Sequence, residues 1–220
     1  MKETNMAETI QRGNASLKTL VRKNPSSPTR MSLSKFWRIT DGKFAEWVDG
    51  EVTYMTVTSP HQNIVEFFAA LMRHLSEDQK LGKVRTAPYS MKLPKMKVVR
   101  GPDIMFVRTK HLDRLTDQFL NGACDIAIEA ISPESRTRDR RDKFSEYAQA
   151  GVSEYWIIDE SRKWAQFYSL DADGVYVQIQ LDEQGVFRSA ALPGFWIKPD
   201  WLWQDELPPL TEILRRWGLI

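Results

Sequence analysis

A single α/β domain is what this sequence predicts, on three observations. The first is a strand–helix–strand unit: the apolar run Asp125-Ile-Ala-Ile-Glu129-Ala-Ile, a charged helical segment from Ser135 to Ala150, and the return strand Glu154 to Asp159. Short links between such elements imply a parallel pair with a right-handed crossover. The second is a hairpin signal, Phe44 to Val57, with Asp49-Gly50 between two strand-like runs. The third is an amphipathic helix from Ser59, where Ile64, Phe67, Phe68, Leu71, Met72 and Leu75 recur at helical spacing.

The chain has 220 residues, 42% of them hydrophobic, which is enough for one sizeable core. Its net charge of +2 is unevenly placed. Residues 1–30 hold six Lys/Arg against two acids, so the remaining 190 carry 25 basic and 27 acidic residues. Residues 1–30 read as a mobile basic tail and 31–220 as the folded domain. Bulk charge does not argue for a polyanion partner, so any such case rests on local clusters. No apolar run approaches the roughly 20 residues that span a bilayer. An N-terminus without an apolar signal segment and a single cysteine, Cys124, lead us to expect a cytoplasmic protein without membrane contact.

Along the chain, Ser34 to Trp37 suits a short helical turn. Ser59 is the expected N-cap of the long helix, with Pro60 at its first position and Gln62 closing a capping box. That helix should stop before Gly82. Lys83 to Leu93 reads as one strand, and Ile104 to Val107 as another opened by Asp103. Gly151 is placed to end the Ser135–Ala150 helix. Beyond Asp159, Trp164–Leu170 and Val175–Leu181 form a hairpin in which the Val/Ile/Leu positions should face inward. Gly185 to Leu210 reads as peripheral packing, its tryptophans included, and Thr211 to Gly218 as a short final helix.

The chemistry-bearing residues cluster around Glu129. An ionised carboxylate inside a strand built for burial is costly unless a cation or strong donors compensate it. If the strands carrying Asp103 and Glu129 are neighbours, two carboxylates converge. A hard divalent ion takes one or two carboxylates, keeps several waters and accepts phosphate oxygens. Each residue also has a plainer reading. Asp103 alone suits a strand-end turn cap, and Glu129 a salt bridge to an arginine of the next helix. Lys143 alone reads as an i, i+4 surface partner of Asp139. His61 reads as a first-turn residue, and Arg136, Arg138, Arg140 and Arg141 as a solvated helix face or a set of phosphate contacts.

Taken together, Asp49-Gly50-Glu51, Ser-Pro-His61-Gln, Pro102-Asp103, Glu129-Ala-Ile-Ser-Pro133, Asp139, Lys143, Tyr147 and Gly151-Val-Ser-Glu-Tyr-Trp-Ile-Ile-Asp159 resemble the Uma-type putative restriction endonuclease family, of the PD-(D/E)XK nuclease superfamily. The resemblance runs from about residue 34 to about residue 210. It implies a restriction-endonuclease-like core, a mixed sheet flanked by helices with additional hairpins, and Mg²⁺-dependent cleavage of DNA, with Mn²⁺ as the alternative ion. Asp103 and Glu129 match the superfamily's two acids and would hold the metal with the Ala130 carbonyl. Lys143 would position the attacking water, with Glu51 or His61 assisting, while Arg136, Arg138 and Arg140 would contact substrate. The pattern departs at Ile131, where the superfamily has lysine; Lys143, from the following helix, is the matching position. A homodimer is the expectation for duplex cutting. The alternative is an inactive nucleic-acid-binding or assembly module that keeps the fold. A metal-free two-carboxylate hydrolase acting on a non-nucleic substrate, such as a glycosidase, is the third reading, separable by its indifference to chelators.

Overall fold

Two six-stranded sheets hold most of the strands. The computed structural model describes residues 29–40, 43–55, 58–131 and 138–220, with only the backbone of Thr29 and of residues 138–140. In chain order the elements are β1 (Thr29–Arg30), α1 (Leu33–Ile39), β2 (Ala45–Val48), β3 (Glu51–Tyr54), α2 (Ser59–Asp78), β4 (Gly82–Thr86), β5 (Ser90–Leu93), β6 (Val98–Arg100), β7 (Ile104–Arg108), β8 (Phe119–Asn121) and β9 (Ile126–Ala130). There follow α3 (Arg138–Ala150), β10 (Glu154–Asp159), β11 (Trp164–Leu170), β12 (Tyr176–Gln178), β13 (Phe187–Arg188), β14 (Trp196–Ile197) and α4 (Leu210–Arg216). The first sheet has the order β1-β3-β2-β6-β5-β8 and the second β12-β11-β10-β9-β7-β4; β13 and β14 make a separate pair. Since β1 pairs with β3, Thr29 and Arg30 already belong to the first sheet.

The second sheet carries the core on both faces, which is why β9 and β10 are buried at every residue. Side chains alternate across a strand. Ile104, Phe106, Ile126, Ile128, Trp156 and Ile158 therefore face the apolar side of α2, in a cluster that also holds Phe68, Leu71 and Leu75. Met105, Val107, Ala127, Tyr155 and Ile157 face the other way, onto Tyr147 of α3. By the same alternation Asp103, Glu129 and Ile131 lie on the α3 side. The helix leaving β9 returns in parallel to β10, with Glu154 opposite Ile126 and Ile158 opposite Ala130. Its end is set by Gly151 at φ 84°, which lets the Val152 N–H donate back to the Tyr147 carbonyl at 3.0 Å.

The hairpin β2–β3 turns at Asp49 (φ 43°) and Gly50 (φ 94°), the left-handed pair that a two-residue hairpin loop requires. Four expectations need correction. The N-cap of α2 is Thr58, not Ser59, and no side chain caps it; Gln62 instead donates to Glu66 at 3.1 Å. The stretch Lys83–Leu93 is two strands in different sheets, because Pro88 has no N–H for a ladder and the chain crosses between sheets there. In β12 the buried side chain is Tyr176, while Val175 and Val177 are exposed. Tyr176 packs its ring on Phe144 and donates its hydroxyl to the Val152 carbonyl at 2.9 Å, which outweighs the two valines. Residues 185–210 are not peripheral either: Phe187 stacks on Phe167 with ring centroids 3.7 Å apart, and Leu192 and Phe195 are fully enclosed.

That segment is anchored by a buried charge. Glu154 accepts from the Ala190 and Ala191 N–H groups, both at 2.7 Å, from Ser189 Oγ at 2.8 Å and from Trp156 Nε1 at 2.9 Å. Glu154→Ala leaves four donors without an acceptor, three of them buried, at about 1–3 kcal/mol for each buried one not rescued by water. We expect a loss of about 3 kcal/mol or more in urea denaturation, with divalent-cation affinity unchanged in the protein that remains folded.

Candidate active site

The candidate site forms where the chain passes from the first sheet to the second, between Arg100 at the end of β6 and Ile104 at the start of β7. The β7–β9 register pairs Ile104 with Ile128. Continued by one residue, it sets Asp103 opposite Glu129, so the two acids are cross-strand neighbours. Asp103 Oδ2 accepts from the Ala130 N–H at 2.8 Å, and His61 Nε2 from the first turn of α2 lies 3.1 Å from the same oxygen. His61 Nδ1 is buried, with no hydrogen-bond partner among the described residues.

Lys143 is not a surface residue. It is 3% exposed, and its Nζ donates to Glu129 Oε1 and Oε2, both at 3.0 Å. Glu46 Oε1 lies 2.9 Å from the same ammonium. One turn along α3, the Tyr147 hydroxyl donates to Glu129 Oε1 at 2.8 Å. Glu46 comes from β2 of the first sheet. Its Oε2 accepts from Arg100 Nη1 at 2.7 Å and its Oε1 from the Gly101 N–H at 3.3 Å. Arg100 in turn grips Glu146 of α3 with two parallel bonds of 2.7 and 2.9 Å. The chain Glu129–Lys143–Glu46–Arg100–Glu146 thus ties both sheets to α3.

Burial and neighbouring charge set the protonation of these groups. Desolvation, then the nearby Asp103 and Glu46 charges, push the Glu129 carboxyl up to about 7 in spite of Lys143. Asp103 is likewise raised to about 7, chiefly by burial, against the Ala130 hydrogen bond and Lys143. Burial works on Glu46 too, but Lys143 and Arg100 outweigh it and hold that carboxyl below its ordinary value. Lys143 stays raised despite its own desolvation, because Glu129 and Glu46 stabilise its charge. Burial lowers His61, which favours the neutral ring.

Sequence reasoning located Asp103, Glu129, Lys143 and His61, and the structure brings these four together. It does not bring Glu51 to them: Glu51 sits at the hairpin turn, where it accepts from Arg30 Nη2 at 2.8 Å on the surface. Arg136 lies outside the described residues, as do the side chains of Arg138 and Arg140. Glu46, Arg100 and Tyr147 were missed as site groups. Glu46 stands between Ala45 and Trp47, both buried, in a run whose alternation gives no sign that the acid is buried as well.

Donor number and charge decide whether these residues suit a divalent ion. Among the described residues no group of three or more His, Cys, Asp or Glu side chains is arranged to hold a metal. Mg²⁺ does not need one, since it is held through one or two carboxylates plus water and substrate oxygens. The charges also fit. Among the described residues, Glu46, Glu129, Asp103 and Glu146 face the two cations Lys143 and Arg100; above about pH 7, where Asp103 and Glu129 give up their protons, this leaves two negative charges, the charge of one divalent cation.

A family model described as "Putative restriction endonuclease", Uma2, matches residues 33–200. The chain belongs to the Uma2 family. No curated protein matches it. Among solved structures it is similar to a putative nuclease belonging to DUF820 from Anabaena variabilis ATCC 29413, with a TM-score of 0.65 at 14% identity. That match covers 79% of this chain and 97% of the other, and it places this Uma2 protein in the same fold. Among the described residues no helix is long and apolar enough to cross a membrane.

The raised carboxyls of this Uma2 site predict a pH response. Asp103 and Glu129 bind their protons up to about 7 in the folded chain, against ordinary values of 3.8 and 4.5. The folded state therefore holds more protons between those limits. Their contribution to stability is full below the lower value and is lost as pH rises towards 7. Glu46, shifted the other way, acts only below its ordinary value. We expect the Tm of metal-free protein to fall between about pH 5 and about pH 8, and Mg²⁺ to raise it more at the higher pH. Scanning calorimetry with and without chelator checks this, and Glu129→Gln should flatten both trends.

Proposed function

We propose that this protein is a metal-dependent endonuclease that hydrolyses phosphodiester bonds of DNA. The observation that carries the reading is the convergence of Asp103 and Glu129 on one face of the second sheet, beside a lysine buried with them. Asp103, Glu129 and the Ala130 carbonyl would hold Mg²⁺ or Mn²⁺. Bound there, the ion supplies polarisation of the phosphorus centre and a more acidic water.

The chain's own groups do the rest. Tyr147 and Lys143 fix the orientation of Glu129, and Arg100 with the Gly101 N–H fixes that of Glu46. Lys143 stands where the superfamily pattern uses a lysine at the place of Ile131. Both approach from the α3 side of β9, so a lysine from α3 can reach the same carboxylate. Its positive charge is placed to orient water and to stabilise negative charge developing on phosphate. His61, neutral and at hydrogen-bonding distance from Asp103, steadies that carboxylate and leaves Nδ1 as an acceptor beside the cleft.

One observation favours the inactive binding module: Lys143 is shared between two carboxylates, Glu129 and Glu46. Isothermal titration of Mg²⁺ or Mn²⁺ into the wild type and Glu129→Gln, with plasmid nicking on the same samples, separates the readings. The nuclease reading expects binding and nicking together, both lost in the variant and in chelator. Binding without nicking favours the module.

A further inference from the structure

One cleft opens beside Asp103, and a second adjoins it. The larger, of about 580 Å³, has His61 and Asp103 in its wall and runs past the half-buried ring of Phe44 to Arg73 on the exposed side of α2. The smaller, of about 320 Å³, is walled by Trp37, Lys43 and Tyr89. Both share Thr86, Ala87 and Pro88, the crossing between β4 and β5, so the two clefts adjoin along that segment. Each lies within the range of about 300–1,000 Å³ usual for small organic ligands.

The walls combine rings with few net charges. Trp37 is stacked on Phe119 with centroids 4.7 Å apart and an interplanar angle of 23°, and Arg85 lies 5.8 Å above the Tyr89 ring. Arg73 and Glu66 both line the larger cleft, and Lys43 and Asp117 both line the smaller. Residues 31–220 carry 25 basic and 27 acidic side chains in all. Duplex and single strands alike are held partly by neutralising phosphates, for which these walls supply Arg73 and Lys43; what separates the two is the state of the bases. In a duplex the bases are stacked on each other and closed to side-chain rings. Rings in the walls suit a strand whose bases are free to stack, at about 1–3 kcal/mol per base.

We propose that this trough seats unpaired nucleotides next to the scissile phosphate, so that the substrate is single-stranded or locally opened nucleic acid. The inference rests on the nuclease reading for the position of the scissile bond but makes a separate claim about binding. The base nearest Asp103 lies in the Phe44–Arg73 cleft, and the strand continues over Pro88 towards Trp37 and Tyr89.

Fluorescence anisotropy on the full chain in chelator tests it, with a labelled oligothymidylate and a hairpin duplex of equal length as probes. Expected is at least tenfold tighter binding of the oligothymidylate, with log K falling against log salt by about one to two, the slope for the two cations lining the trough. Trp37→Ala and Tyr89→Ala should each weaken it about tenfold. Arg73→Glu, on the exposed side of α2, should do so without touching the core, which keeps the test valid if an aromatic variant unfolds. Equal or tighter duplex binding, no binding of either probe, or variants that bind like wild type would overturn the proposal. The binding assay contains no metal, so its outcome is independent of whether plasmid is nicked.

Discussion

Lys143→Met should remove about 3–5 kcal/mol of folding stability near neutral pH and abolish nicking. The magnitude follows from what the substitution leaves behind. Methionine fills most of the lysine's volume, so packing against α3 survives. What is lost is the cation shared by Glu46 and Glu129, both buried, and stranding a buried charge is where the large cost of breaking such a pair arises. Glu129 can respond by taking up a proton, since its carboxyl is already raised to about 7. Glu46 resists, because Arg100 still favours its charged form. Adding Glu46→Gln to Lys143→Met should therefore recover part of the stability and none of the activity. Urea denaturation of the single and double variants, with nicking assayed in parallel, gives both readouts. A Lys143→Met protein as stable as wild type would mean that the network contributes orientation alone.

The elements that could be read from the sequence are those governed by local rules. The Asp49-Gly50 turn and the Gly151 helix end each follow from the backbone conformation a few residues impose, and the buried stripe of α2 follows from periodicity. The strand Ile126–Ala130 was legible because five consecutive residues tolerate burial on both faces except Glu129. Glu46 was not, although it is as buried as Glu129, because Ala45-Glu46-Trp47-Val48 also fits a strand with one wet face. Only the first sheet's position against α3 turns that face inward. Lys143 shows the same limit from the other side. Asp139 at i−4 gives an adequate local partner, whereas the partners it actually has, Glu129 and Glu46, are distant in sequence and one of them lies in the other sheet. Pro88 was a visible strand breaker, but the sheets its two halves join depend on long-range pairing.

Asp103→Asn should separate the chemistry of the site from its stability. Asparagine keeps the size of the side chain, and its carbonyl oxygen can still accept from the Ala130 N–H, so the crossing from β6 to β7 is preserved. Near pH 8 the wild-type group is a buried carboxylate held charged against desolvation, with Glu129 beside it. Neutralising it should leave metal-free stability unchanged or higher, the reverse of what a purely structural turn cap would show. The stabilisation by Mg²⁺ should disappear. Nicking should fall by about 10²–10⁴, the range for losing several kcal/mol of charge stabilisation at the reacting phosphate. Glu51→Gln provides the contrast. Its side chain is half exposed and bound to Arg30 on the surface, so it should stay within about 0.5 kcal/mol of wild type and nick normally. If the Asp103→Asn protein retained both Mg²⁺ stabilisation and nicking, the cation would have to sit on Glu129 without its cross-strand neighbour, and the paired carboxylates would not be the centre of the site.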